Sequence, residues 1–196
     1  MSKGKEIFNA VIITALCYFL LFALHRSLFD IFDMTSRTAV FFIPAAARVF
    51  CTLIFGYWAG VGIAIGTVLN AVIENRNADN GLYLGLLALN VGLACSLSLM
   101  IWSLISRRVQ GVLNPQIDYF SITWRDVLGF SVIQAVMNST LTHILFYSFP
   151  DYHLDTSLYL LSVMFVGDLT GAFLVFILSN LAFSAWLRMR RHRVRL

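Results

Sequence analysis

Apolar positions in this chain do not alternate with polar ones. They run together, and short polar segments divide the runs. The first run predicts a helix over about 8–25. The polar stretch after it, "RSLFDIFDMTSR", carries a leucine and two phenylalanines suited to lie along a membrane interface. The run from Thr38 to Ile73 is too long for one crossing of about 30 Å of hydrocarbon. Gly56, Gly60 and Gly62 sit at its centre, so it predicts a tight hairpin of helices over 38–56 and 59–74. "ENRNADNG" (74–81) reads as a turn, rich in Asn, Asp and Gly. A fourth helix is expected over 82–105. The longest polar stretch then follows, with Asn114-Pro115 as a turn. Ser121 or Thr123 is placed to cap a fifth helix over 125–148, and Asp126 suits its positive N-terminal end. "PDYHLDTS" is another turn, and a sixth helix over 157–187 leads into a basic tail at 188–196.

Composition identifies the solvent these runs face. Of the 196 residues 59% are hydrophobic and 12% charged, with a mean hydropathy of +0.80. A soluble domain carries about 25% charged residues, so this chain lacks the polar surface to coat a water-soluble globule. A transmembrane barrel would show alternating segments of roughly ten residues, which are missing. The expected fold class is all-α: one polytopic transmembrane domain, 1–196, of about six helices. With both termini in the cytoplasm, one side holds Lys3, Lys5, Arg107, Arg108, Arg125 and the five tail arginines, and the other holds Arg26, Arg37 and Arg76. Ten basic residues against three fits the positive-inside bias. The formal net charge of +4 therefore reflects topology and a cytoplasmic anchor, and no reader motif for nucleic acid accompanies the arginines. The N-terminal run has no small-x-small cleavage site before His25 and reads as a retained helix. Cys17, Cys51 and Cys95 lie in apolar runs without CxxC spacing and read as small buried hydrophobes.

Candidate chemistry rests on the polar residues inside the runs. Arg48, in the second helix, and Asp168, in the sixth, are the ionisable ones. One such charge at mid-bilayer costs at least about 2.5–3.5 kcal/mol. Counted from the outer ends of their helices at about 1.5 Å per residue, the two lie at similar depth, which suggests a buried ion pair. That pair either fixes packing alone or also meets a ligand or ion; the third alternative is that the two charges do not pair. Pro44, four residues before Arg48, deprives a helical carbonyl near Val40 of its partner, by a kink or a broken start. Asn70, Asn90, Gln134, Asn138, Thr140, Thr142 and His143 are also at membrane depth. Gln134, Asn138 and Thr142 share one face of the fifth helix, as interhelical hydrogen-bonding glue or as a cavity lining. His143 has no metal-ligand spacing around it. Small-residue pairs four apart (Gly56/Gly60, Gly62/Gly66, Gly81/Gly85, Gly167/Gly171) permit close helix approach, and the last frames Asp168. No catalytic motif, metal set or cofactor motif appears, so no enzyme is expected.

"FIPAAARVFCTLIFGYWAGVGIAIGTVLNA" (42–71) and "VGDLTGAFLVFILSNL" (166–181) together resemble the bacterial membrane-associated sensor domain of the first type. The likeness covers about a quarter of the chain and rests on Pro44, Gly56, Asn70, Gly167, Asp168 and Gly171. Members of that family usually have more helices and a signalling output domain behind them. The resemblance therefore implies a short sensor of the bacterial inner membrane. It would bind a small ligand in its bundle and signal to a partner protein through its cytoplasmic face and basic tail. The size also resembles the substrate-binding subunits of energy-coupling-factor vitamin transporters, although the alanine-rich docking helix of those proteins is not seen. A structural subunit of a larger membrane complex is the third reading.

Overall fold

A computed structural model describes residues 3–29, 33–35, 38–39, 41–73, 81–106, 123–148 and 157–193. Six helices carry these residues: α1 Lys3–Phe29, α2 Pro44–Phe55, α3 Tyr57–Ile73, α4 Gly81–Ser106, α5 Trp124–Tyr147 and α6 Ser157–Arg193. Between α1 and α2 lies a two-rung antiparallel ladder, with β1 Asp33–Thr35 paired to β2 Thr38–Ala39. Otherwise the described fold is helical. The turns expected at 74–81, around Asn114-Pro115 and at "PDYHLDTS" (150–157) lie outside the described residues except for Gly81 and Ser157, which begin α4 and α6; Ser121 and Val40 also lie outside them. Side chains are described only as far as Leu181 in α6.

Four segments are long and apolar enough to cross a membrane: Lys3–Leu28, Gly81–Ser106, Trp124–Tyr147 and Leu158–Leu181. Their outer faces are apolar, with Leu16 and Leu20 on α1, Leu89 and Leu93 on α4, Val136 and Ile144 on α5, and Ile177 and Leu178 on α6 all exposed. Buried among them are Thr14, Arg48, Thr52, Gln134, Asn138, Thr142 and Asp168. An apolar outside around a polar inside suits a bundle solvated by lipid, and the chain is a membrane protein.

α2 departs most from the sequence expectation. It begins at Pro44 rather than at 38 and has 12 residues, about 18 Å at 1.5 Å per residue. That falls short of the hydrocarbon thickness. The reason is local. Pro44 has no N–H and occupies the first turn, where none is needed. Ala45 N–H turns back to the Phe42 carbonyl and Ala46 N–H to the Ile43 carbonyl, each at 3.0 Å. The Phe42 N–H donates to the carbonyl of Gly167 on α6, also at 3.0 Å. Pro44 thus starts a helix and does not kink one, and the Phe42 N–H before it is satisfied by α6. At its other end α2 stops at Gly56, whose φ of 66° and ψ of −144° suit a residue without a Cβ. One residue reverses the chain into α3.

The short helix is the axis of the bundle. It packs against all five others, and nine of its twelve residues are buried. On one side Ala47 and Cys51 join Tyr18, Ala59, Ile63, Val91 and Cys95. On the other, Val49 and Leu53 join Leu99, Val127, Phe130 and Ala172. Glycines set the outer spacing. A Cβ on Gly60 would fall 2.7 Å from the Gly92 carbonyl, and one on Gly62 would fall 2.6 Å from that of Val11. Gly62 meets Val11 and Thr14, whereas Gly66 meets Ala15 and Tyr18, so α1 and α3 run parallel. Asn90 meets Thr142, Cys95 meets Gln134 and Trp102 meets Gly129, so α4 and α5 run antiparallel. α5 opens with a capping box: Thr123 accepts from Asp126 N–H, and the Asp126 carboxylate accepts from Thr123 N–H at 2.8 Å. Two unpaired helix donors are satisfied there in return for one short loop of side chains.

Candidate functional site

Helical side chains lean toward the N-terminus of their own helix. Arg48, one turn into α2, therefore folds back over Phe42, with its guanidinium carbon 5.0 Å from the ring centroid. The α2 start, pinned on Gly167, brings the same guanidinium to the next residue of α6. Nη2 of Arg48 donates to Oδ1 of Asp168. Arg48 is 1% exposed and Asp168 4%. The second carboxylate oxygen, Oδ2, accepts from Asn138 Nδ2 of α5 at 2.8 Å. Three helices thus meet in one neutral, charge-assisted chain of hydrogen bonds, the stronger kind of such contacts.

Around this chain the other intramembrane polar groups separate. Gln134, one turn before Asn138 on α5, points its amide at Cys95 Sγ, 3.9 Å away. Thr52, one turn after Arg48, lies beside the same cysteine. Tyr18 of α1 is buried near Arg48, with its hydroxyl against Thr67. Asn90 donates to Thr142 at 3.0 Å, a separate α4–α5 link. Asn70 does not join the core, because its amide returns to the Gly66 carbonyl of its own helix at 2.9 Å. His143 is half-buried. Among the described residues no three His, Cys, Asp or Glu gather as a metal set.

The polar core is not fully satisfied. Arg48 Nε and Asn138 Oδ1 are buried without a hydrogen-bond partner. Each such group costs about 1–3 kcal/mol when left unpaired, so two of them within one ion-pair network ask for an explanation.

Phe42 is the residue that sequence reading missed. It contributes a backbone N–H, a backbone carbonyl and a ring to the site, yet nothing in its side-chain chemistry marks it. The nearest signal was Pro44, whose preference for a first helical turn places the two residues before it outside the helix. Tyr18 and Thr52 were also missed, since each looks like one more member of an apolar run, while Cys95 is buried as its apolar run implied. Compared with family models, with curated proteins and with solved structures, the chain finds no match.

Proposed function

We propose that this protein is a membrane receptor whose Arg48–Asp168–Asn138 core responds to a small ligand and passes the response to a partner protein. The observation that carries the reading is the unpaired buried donor, Arg48 Nε, and acceptor, Asn138 Oδ1, in the network of a fully buried ion pair. A purely structural polar network gains most when every member is satisfied. This one keeps hydrogen-bonding capacity in reserve at the point where α2 begins inside the bundle. α6 supplies the route outward. It holds Asp168 and continues as one helix of 37 residues, about 55 Å at 1.5 Å per residue, well beyond the thickness of the hydrocarbon. The partial resemblance to the bacterial membrane-associated sensor domain points the same way, toward the bacterial inner membrane and a signalling partner on the cytoplasmic side.

In this reading the chain crosses six times with both termini in the cytoplasm. The second crossing is composite: a non-helical lead-in at residues 41–43, hydrogen-bonded to α6 through Phe42 N–H, then α2. The parallel run of α1 and α3 and the antiparallel run of α4 and α5 support that order. A reporter fused after Leu196 should be active only in its cytoplasmic form, and activity of a periplasmic reporter there would overturn the arrangement.

A bound ligand stabilises the folded receptor by RT ln(1 + [L]/Kd), about 2.7 kcal/mol at a hundredfold excess over Kd. We expect a metabolite panel on the purified protein, in detergent and in lipid nanodiscs, to contain at least one compound that raises Tm in a concentration-dependent way. A panel without any shift, together with failure of any protein to co-purify from the native membrane, would refute the receptor reading.

A further inference from the structure

Asp168 has two different partners on its two oxygens, and each partner has an unused atom. Oδ1 takes Arg48 Nη2, and Arg48 Nε is left over. Oδ2 takes Asn138 Nδ2, and Asn138 Oδ1 is left over. The two unused atoms fit a second arrangement of the same residues. A protonated carboxyl and a primary amide form a ring of two hydrogen bonds: amide N–H to one carboxyl oxygen, carboxyl O–H to the amide oxygen. The first of these bonds already exists, and Asn138 Oδ1 is the free acceptor that the second requires. Once Asp168 turns its O–H to Asn138 it no longer holds Arg48. The guanidinium then offers Nε and Nη2, the edge that takes a carboxylate bidentately.

We propose that the ligand of this site is a small monocarboxylic acid whose carboxylate replaces Asp168 on Arg48 while its proton goes to Asp168. The exchange balances. The O–H bond of the acid breaks, and an O–H bond forms at Asp168 Oδ1. The arginine keeps one carboxylate partner throughout, so no net charge enters the membrane interior. Entry of the carboxylate anion with a proton from water is the same equation. A ligand anion without the proton would leave Asp168 ionised and unpaired in a buried site, which is the costly case. The titratable groups facing the exchange among the described residues are Arg48 of α2, Tyr18 of α1 and Cys95 of α4, the last two interacting with both Arg48 and Asp168. α5 contributes the uncharged amides of Asn138 and Gln134. The Phe42 ring over the guanidinium supplies an apolar wall beside the incoming group.

This inference rests on the receptor reading and is tested separately from it. The full chain in nanodiscs is titrated with acetate, butyrate, octanoate and benzoate, and with the corresponding amides, over about pH 6 to 8, where the free probes are carboxylates. At least one acid should bind, its amide should not, and its affinity should fall about tenfold per unit rise in pH, because one proton is taken up on binding. D168N imitates the protonated state. It should bind the same acid with no pH slope, and its folded yield should rise when the acid is present during purification. Where D168N yields no protein, infrared difference spectra of the wild type decide the matter: binding must raise the signal of a protonated carboxyl group. Binding without a pH slope, binding unchanged in R48M, or binding without that signal overturns the proposal. If carboxylates give no shift while a non-acidic metabolite does, the proton exchange is refuted and the receptor reading stands. If nothing binds and no partner co-purifies, the receptor reading falls first.

Discussion

Arg48→Met alone and Asp168→Leu alone should each remove most of the folded protein, and the double substitution should restore much of it. Either single change leaves the other charge buried without its partner, at a cost of about 3–5 kcal/mol. A domain with about 5–15 kcal/mol in total loses a large part of its stability by that route. The double change removes both charges and puts apolar side chains of similar length at the centre of the bundle. Recovery should be incomplete, because Asn138 then loses the oxygen its amide now meets at 2.8 Å, worth about 1–3 kcal/mol for a buried donor left unpaired. The charge term is the larger, so rescue dominates. The measurement is monodisperse yield and thermal unfolding of the four proteins in one detergent. Two single losses that simply add, with no rescue, would show that the pair is not a coupled unit. A double mutant that folds but no longer binds any ligand would assign the pair a functional role as well.

Gly171→Val should be as damaging, through sterics alone. The Phe42 carbonyl lies against the Gly171 Cα, where any Cβ would collide with it, and that atom belongs to backbone that cannot swing aside. The same peptide segment donates its N–H to Gly167 and begins the first turn of α2. A valine there would push the α2 start off α6 and pull Arg48 away from Asp168. The expected loss therefore exceeds the roughly 1–3 kcal/mol usual for overpacking and approaches that of breaking the ion pair. Gly85→Ala is the control, since a Cβ there meets nothing within 4 Å. It should unfold like the wild type. If Gly171→Val unfolds like Gly85→Ala, the docking of residues 41–43 on α6 is not what holds the site together.

The sequence alone was enough for the membrane class and for the approximate places of the helices, because both follow from the length and apolarity of the runs. It also carried Arg48 and Asp168 as the residues of interest, since a charge in a stretch meant for hydrocarbon is costly enough to stand out. Thr123, one of two candidates to cap α5, and Asp126 in its first turn were legible for a similar reason: a cap is a local device, complete within four residues. Only the tertiary structure decided that α2 is short, starts at Pro44 and forms the axis of the bundle. That outcome depends on where the Phe42 N–H goes, and its acceptor, Gly167, is distant in sequence. Likewise the polar stripe of Gln134, Asn138 and Thr142 was visible as one face of a helix, but its three partners, Cys95, Asp168 and Asn90, belong to two different helices. Asn70 looked like a member of the same core and instead bonds to its own helix, because an asparagine at membrane depth is satisfied equally well by the carbonyl four residues before it. A run of apolar residues fixes that a helix is buried in lipid or protein. Which face meets which neighbour is set by close backbone contacts at glycines and by single hydrogen bonds, and these pair residues that the sequence does not place side by side.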